Sequence, residues 1–489
     1  MGPWGPGVLG KTRRVHFIGV GGIGMSGIAE LLANLGYLVS GSDEKRSPVT
    51  DRLETIGVRV SYGHDAANVG EADVVVVSSA VRPANPEVRE AARRQIPVIP
   101  RAEMLAELMR LRFSIAVAGA HGKTTTTSMI ALVLERAGLD PTAVIGGRLR
   151  AFGGNARLGR GELMVAEADE SDRSFLKLFP TMAVITNIDN EHLENYGGLD
   201  DLQQAFVDFA NKVPFYGGVV ACVDDARLSA LLGRMTRRVT TYGLDTDADI
   251  TATAITLDPF TVRAVVERRE ARSGGGGGGV VRTKLGPLTL NVSGRHNLQN
   301  ALAAVAVGLE LGLPFDRIAA GLAEFHGVER RFDVRGEPRG ILVVDDYGHH
   351  PTEIAAVLAA AMTLRRRIIV AFQPHRYTRT AALMEQFGPS LAHADHVVLT
   401  DIYGAGEDPI DGVSLDTLAA AIRRKGPASL EVVPRLEDVV PALVRAARPG
   451  DVVLTLGAGS IGTVPDRLVE ALEHADTSAV PRKTKGAGA

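Results

Sequence analysis

From Val15 onward, short runs of apolar, β-branched residues alternate with longer stretches whose apolar positions recur at helical spacing, the pattern of parallel strands covered by helices. The first group of runs, Val15–Val20, Tyr37–Ser40, Val74–Val77 and Pro97–Ile99, predicts strands with helices between some of them, ending near Leu111. A second group opens with a strand at Ser114–Ala118 and a helix from about Lys123, and continues through strands around Leu163–Ala166 and Ala183–Thr186. From Val239 to Val292 several strand-like runs follow without clear helices between them, which predicts an antiparallel appendage. A helix rich in Ala, Leu and Val over Asn297–Leu311 leads to a boundary near Glu324. Beyond it, strands at Ile341–Asp345, Ile368–Phe372, His396–Thr400 and Val452–Leu456 are separated by amphipathic helical segments.

These groups divide the chain into a flexible tail over 1–12, domains over 13–111, 112–323 and 324–474, and a disordered tail over 475–489. A length of 489 residues agrees with three domains at about 150 residues each. Gly274–Gly279 reads as a flexible hairpin tip, because no strand-to-helix transition with a Lys and a Thr follows it. No repeat of fixed period is present, which excludes a solenoid.

Composition narrows the class. Apolar residues at 45% and charged residues at 23% fit a globular enzyme rather than a disordered or fibrous chain. A formal charge of -3 supplies no general attraction to nucleic acid or anionic membrane, so any anionic ligand must be held by local groups. Cys222 is the only cysteine; it excludes an internal disulfide, suits a reducing compartment and reads as a small core residue. No apolar run approaches the ~18 residues of a membrane span, and the first ten residues lack a basic segment followed by an apolar core. The expectation is a soluble cytoplasmic protein with no nucleic-acid partner; the oligomeric state leaves no signal.

Two phosphate-binding signals stand out. Gly19-Val-Gly-Gly-Ile-Gly24 fits G-x-G-x-x-G between a strand and a helix, and Asp43 ends the next strand. Glycines let the backbone approach a diphosphate, whose charge the unpaired N–H groups of a helix start favour. The pattern fits a dinucleotide, a UDP-sugar or a structural turn alike. Gly119-Ala-His-Gly-Lys-Thr-Thr-Thr-Thr127 also joins a strand to a helix. Its backbone suits nucleotide phosphates, Lys123 the β/γ-phosphate charge and Thr124 a Mg²⁺ ion. It departs from G-x-x-x-x-G-K-[ST] in having Val117 at the first glycine position. Glu167-Ala-Asp-Glu-Ser-Asp172 and Asn187-Ile-Asp-Asn-Glu-His192 follow strands of the same domain, where carboxylates and a histidine reach a metal at the sheet edge.

Together with Gly294-Arg-His-Asn-Leu-Gln-Asn300, Arg330-Arg-Phe332, Asp345-Asp-Tyr-Gly-His-His-Pro351 and Gln373-Pro-His-Arg-Tyr-Thr-Arg379, this ordered set resembles the Mur ligase family of bacterial peptidoglycan synthesis. The resemblance implies an α/β fold of three domains: a Rossmann-like N-terminal domain, a central P-loop ATPase-like domain carrying the antiparallel appendage, and a C-terminal Rossmann-like domain. It implies that Gly19, Gly21, Gly22 and Gly24 cradle the diphosphate of UDP-N-acetylmuramate, with Ser42, Asp43, Ser78 and Ser79 beside the nucleotide sugar.

By the same resemblance, Gly119, Ala120, His121, Gly122, Lys123, Thr124 and Thr125 hold ATP phosphates, and Thr124, Glu167 and His192 the Mg²⁺, for which Mn²⁺ is an alternative. His296, Asn297 and Asn300 approach adenine, Arg331 the γ-phosphate and Asp346 the ATP ribose, while Arg330 forms a surface pair. Tyr347, His349, Arg376 and Arg379 lie near L-alanine and the muramoyl carboxylate, where an Arg fork matches carboxylate geometry. Lys123, Arg331 and His349 are the expected catalytic groups, His349 managing the amine proton. Lys177 is left without a role. Three other readings remain at this point: a ligase recycling a preformed peptide, an NAD-dependent oxidoreductase that leaves the ATP motif unexplained, and a noncatalytic nucleotide sensor.

Overall fold

The computed structural model describes residues 9–78, 81–149, 152, 154–190, 195–271 and 280–474. Gly274–Gly279 and the 475–489 tail lie outside them, as do residues 1–8 of the first tail; Leu9 donates its N–H to the Tyr37 hydroxyl at 3.0 Å. The chain forms two compact units, one of Met1–Thr256, Val262–Val292 and His296–Val328, the other of Leu257–Thr261, Ser293–Arg295 and Glu329–Ala489.

The first unit contains a five-stranded parallel sheet of β1 (Arg14–Ile18), β2 (Leu38–Asp43), β3 (Arg59–Tyr62), β4 (Val74–Val77) and β5 (Val98–Pro100), in the order β3-β2-β1-β4-β5. The order reverses at β1, which places a crevice at the carboxyl ends of β1 and β4, where Gly19–Gly24 lie. The central sheet comprises β6 (Phe113–Ala118), β7 (Thr142–Leu149), β8 (Gly154–Arg157), β9 (Leu163–Glu167), β10 (Met182–Ile185), β11 (Gly218–Cys222), β12 (Val239–Tyr242), β13 (Ile250–Asp258), β14 (Thr261–Ala271) and β15 (Val280–Leu290). Its order is β15-β14-β13-β12-β11-β10-β6-β9-β7-β8. The appendage begins later than the sequence predicts: β12 still pairs in parallel with β11, and Tyr242 with Ile250, whereas β13, β14 and β15 follow one another as sheet neighbours joined without helices, β14 pairing antiparallel with β15. The parallel character of β12 is disguised because the short helix before it, Ala226–Leu231, has only six residues.

One apolar core serves both sheets. It runs from Val15, Phe17, Met25, Ile28 and Leu32 to Ile115, Val117, Met129, Ile145 and Val165, and the helix Ile23–Asn34 packs against β7 and β8. The two predicted N-terminal domains therefore share a unit.

The second unit carries β16 (Asp333–Gly336), β17 (Leu342–Asp346), β18 (Ile368–Phe372), β19 (His396–Leu399), β20 (Leu430–Val432) and β21 (Val452–Leu456), ordered β16-β17-β21-β18-β19-β20. Only β16 is antiparallel to its neighbour. Runs such as Ile368–Phe372 and Val452–Leu456 are buried along their whole length, as expected of strands covered on both faces.

Candidate active site

In the first glycine loop, Gly19 takes φ +80°, and the N–H groups of Gly19 and Val20 donate to the Ser42 carbonyl at 2.8 and 3.0 Å. Asp43 Oδ2 accepts from the Gly21 N–H at 2.8 Å, and a Cβ at Gly21 would lie 2.8 Å from that oxygen, so the carboxylate braces the loop. Ser42 is fully buried and its hydroxyl donates to Glu87 at 2.9 Å. His16 Nε2 and His64 Nδ1 reach the same carboxylate at 2.6 and 2.8 Å. Burial alone would raise the Glu87 carboxyl, but the hydrogen bonds from His16, His64 and Ser42 hold it below the ordinary range. Ser78 follows β4 half-buried; Ser79 lies outside the described residues.

The second loop follows β6. Gly119 takes φ +132° and Gly122, capping the helix Lys123–Arg136, takes φ +79°. A side chain at Gly119 would strike Thr186 Oγ1 at 2.1 Å, and one at Gly122 would strike Asn300 Oδ1 at 2.6 Å, which brings Asn300 against the loop. Thr186 Oγ1 and Asn187 Nδ2 donate to the His121 carbonyl at 2.6 and 3.0 Å, and Asn187 Oδ1 accepts from the His121 N–H at 2.8 Å. His121 Nε2 meets Asp189 Oδ2 at 3.0 Å. Asn187 and Asp189, grouped in the sequence as metal-site candidates, thus shape the loop; His192 lies outside the described residues. Thr125 begins the buried face of its helix, and Asn297 is buried on the helix Arg295–Glu310, whose second residue is His296.

The Glu167–Asp172 cluster divides its labour. Glu167 Oε2 accepts from the Thr124 hydroxyl and the Gly146 N–H, both at 2.9 Å. Asp169 pairs with Arg101 at 3.1 Å, Glu170 with Lys123 at 2.8 Å, and Asp172 accepts from the Ser174 N–H at 2.9 Å. Lys123 Nζ also donates to the carbonyls of Gly119 and Ala120 at 2.6 and 3.1 Å. Burial disfavours the ammonium, but Glu170, Glu167 and Asp169 overcome it and raise the Lys123 pKa, so the lysine stays charged. Burial pushes the Glu170 carboxyl up to about 7 despite Lys123, and its Oε2 is buried without a hydrogen-bond partner. Lys177 is exposed at the end of a short 3₁₀ turn.

A cavity of about 60 Å³ lies between the end of the first glycine loop and the acidic cluster that partners the second. Gly24 and Arg101 line it from two helix starts beside the first sheet, and Gly146, Glu167 and Asp169 from strand ends of the central one. Arg101 carries no motif, and nothing in the sequence around it signals a site.

In the second unit, Arg331, Tyr347, His349, Arg376 and Arg379 come from the segments around β16, β17 and β18. Both Arg330 and Arg331 lie over the Tyr347 ring, at 5.1 and 5.4 Å, and Arg331 approaches Glu353 at 3.4 Å. Arg330 is not a surface pair: it donates to the buried Asp345 carboxylate at 2.9 Å and to the Gly457 carbonyl at 2.7 Å, because its φ of +59° turns it into the sheet's carboxyl edge. Asp346 is buried and accepts from the N–H groups of Phe332 and Gly348 at 2.7 and 2.6 Å. Its carboxyl is pushed up to about 6 by burial, against Arg331 and those two bonds.

His349 Nδ1 faces the Tyr347 carbonyl at 3.0 Å, which fixes the donor there and leaves Nε2 as the acceptor. Burial lowers the His349 pKa to about 3, so the ring is neutral at ordinary pH. Its ring meets His375 edge-on at 5.3 Å; His375 in turn stacks on Tyr403 at 5.7 Å and approaches Arg379 at 3.1 Å. Arg376, at φ +69°, starts the helix Tyr377–Leu391 and approaches Glu407 at 3.9 Å. Neutral imidazoles and two guanidinium groups thus sit together at one sheet edge.

A glycine loop with a charged lysine, an oxygen-rich acidic cluster and a second glycine loop share one unit, an arrangement suited to an enzyme that handles nucleotide phosphates. Residues 14–113 match the domain described as Mur ligase family, catalytic domain, 117–308 the Mur ligase middle domain, and 330–459 the Mur ligase, glutamate ligase domain. The chain belongs to the Mur ligase family. It is 53% identical to the UDP-N-acetylmuramate–L-alanine ligase of Geotalea daltonii over 96% of this chain and 100% of the relative, and 54% identical to that of Myxococcus xanthus over 96% and 97%. Among solved structures it is similar to the UDP-N-acetylmuramate–alanine ligase of Thermotoga maritima, at 30% identity and TM-score 0.78 over 94% of this chain and 99% of that one. A murein peptide ligase from Psychrobacter arcticus aligns at 25% identity and TM-score 0.69 over 94% and 99%. Among the described residues, no helix is long and apolar enough to cross a membrane.

Proposed function

We propose that the chain acts in the cytoplasm on UDP-N-acetylmuramate and L-alanine, consuming ATP to give UDP-N-acetylmuramoyl-L-alanine, ADP and phosphate for peptidoglycan synthesis. A free carboxylate resists amine attack because oxide is a poor leaving group. The muramoyl carboxylate therefore first takes the γ-phosphoryl group of ATP, releasing ADP. The neutral amine of L-alanine then attacks the acyl phosphate, and the tetrahedral intermediate expels phosphate to leave the amide.

Lys123 meets the charge that develops on the transferring phosphoryl group, and Arg331 is assigned to the same group from the second unit. Asn300 beside Gly122, with His296 and Asn297 on the same helix, is assigned to the adenine end, and Asp346 to the ribose. Thr124 Oγ1 and the Glu167 carboxylate, 2.9 Å apart, offer all-oxygen donors that suit a hard divalent ion. Mg²⁺ bound there, or Mn²⁺ in its place, would neutralise phosphate charge. Arg376 and Arg379 are assigned to carboxylate recognition, and Tyr347 to the wall of the amine site. His349, held neutral by burial and with Nε2 accepting, is assigned to take a hydrogen bond from the amine N–H and so manage its proton; normal turnover and pH dependence in His349→Ala would refute that role.

The observation that carries this reading is the cavity joining the first glycine loop to the acidic cluster of the Lys123 loop. Identity of 53% to an alanine ligase, against 25% to a peptide ligase, favours L-alanine over a preformed peptide. The test is phosphate release with Mg-ATP, scored across L-alanine, glycine, L-serine and a tripeptide, with mass analysis of the amide. Release should require both UDP-N-acetylmuramate and L-alanine; release with tripeptide but not L-alanine would overturn the assignment.

A further inference from the structure

Arg101 is the first residue of the helix Arg101–Met109, directly after β5. Its guanidinium crosses the start of the helix Ile23–Asn34 so closely that a Cβ at Gly24 would lie 1.7 Å from Nη1 and 2.9 Å from Cζ. From there Nη2 donates to Asp169 Oδ2 at 3.1 Å. The two side chains are 29% and 39% exposed, and both line the cavity between the end of the first glycine loop and the acidic cluster. Among the described residues lining that cavity Arg101 is the only cation, and the other charged groups are Glu167 and Asp169.

We propose that Arg101 receives anionic oxygens of the sugar nucleotide as it enters over the first glycine loop, and that Asp169 holds the guanidinium in place until then. This rests on the function proposed above. A sugar nucleotide carries its negative charge toward a cavity walled by two carboxylates, and it cannot approach them without a countercharge. Lys123 is already engaged by Glu170 and two carbonyls, which leaves Arg101.

The exchange is chemically easy. A half-exposed ion pair contributes little, whereas phosphate or carboxylate oxygens accept the planar fork through two bonds. Among the described residues the Arg101 guanidinium spends only Nη2 on a hydrogen bond, so its remaining donors are free for a ligand. Asp169 is also the neighbour in sequence of Glu170, the partner of Lys123, so loss of the Arg101 pair is felt directly beside the triphosphate loop.

Calorimetric titration of the full chain decides the point. Arg101→Gln should weaken UDP-N-acetylmuramate binding at least tenfold and leave ADP binding within threefold. Asp169→Asn, which removes the competitor, should tighten sugar-nucleotide binding severalfold in the wild-type background and do nothing in Arg101→Gln. Should Arg101→Gln fail to fold, Arg101→Lys keeps the charge without the fork and should still lose at least threefold. Titrating UDP and UDP-N-acetylglucosamine alongside locates the contact: a loss for all three ligands assigns Arg101 to the diphosphate, and a loss for UDP-N-acetylmuramate alone assigns it to the carboxylate. Wild-type binding of UDP-N-acetylmuramate with unchanged affinity in the variants overturns the Arg101 assignment alone, as does equal weakening of ADP. No binding by the wild type overturns the proposed function and this inference with it.

Discussion

The two glycine loops of the first unit are built alike and equipped differently. Each follows a buried strand, bends through a glycine at positive φ and opens a helix. Around Gly119–Lys123 stand a charged lysine and the carboxylates of Glu167, Asp169 and Glu170. Around Gly19–Gly24 the loop itself offers no lysine; its acids face inward, Asp43 on the Gly21 N–H and Glu87 on two histidines. The backbone of either loop can accept phosphate oxygens, but only the second gathers the charges that phosphoryl transfer demands. The chemistry is set by side chains that the glycine motif does not contain.

The sharpest way to break this contrast is Lys123→Met. It should cut phosphate release about 10³-fold, as expected when a charge-stabilising donor is removed. Leaving the nearly buried Glu170 unpaired should also cost about 3 kcal/mol of stability by denaturant unfolding. Adding Glu170→Gln should restore much of the stability and none of the turnover; recovery of turnover would deny the lysine its role.

Next comes the glycine geometry. Gly119→Ala forces a side chain into φ +132° and against Thr186 and the Asn187 backbone, and should destabilise by about 3 kcal/mol while weakening ADP binding. Gly22→Ala meets the Gly19 carbonyl at 3.4 Å and Met25 Cγ at 3.9 Å, both tolerable contacts, and should cost about 0.5 kcal/mol. Equal losses at the two positions would mean that the loops are constrained alike.

The buried acids should give opposite pH slopes. Glu170, raised to about 7, keeps its proton in the folded chain where the unfolded chain has lost it, so its contribution to stability improves as pH falls from 7 toward 4.5. Glu87 is lowered, so its contribution is present above the ordinary glutamate range and is lost in acid. Unfolding of wild type, Glu170→Gln and Glu87→Gln, followed from pH 7 through the glutamate range into more acid solution, measures both slopes, and parallel curves would refute the assignment. The smallest effect is expected from Lys177→Ala: the side chain is exposed, so turnover should stay within twofold. A larger loss would extend the charged site beyond Glu167–Asp172.

The readable strands were those buried on both faces, such as Val74–Val77, Ile368–Phe372 and Val452–Leu456, whose limits the apolar runs match. The unread ones include β3, β8, β16 and β20, all at sheet edges, where a strand such as Gly154–Arg157 needs little apolar sequence. β7 escaped notice because Gly146 and Gly147 interrupt its run, and β11 because it is a short run between glycines and Asp224. In the site, Lys123 and Thr124 were visible because a loop motif fixes their spacing, and Glu167 because acids cluster directly after a strand. Arg101 was not, since its importance comes from a helix start folding over Gly24 from 77 positions away, a proximity that only tertiary packing creates.

The apolar core that runs beneath both loops also makes them one mechanical body. Heating should melt the first two sheets in a single cooperative step, with no stage at which one loop survives the other. A fragment ending near Arg112 would leave the outer side of the helix Ile23–Asn34 without β7 and β8, and such a piece should be sticky and poorly folded rather than a miniature sugar-nucleotide receptor.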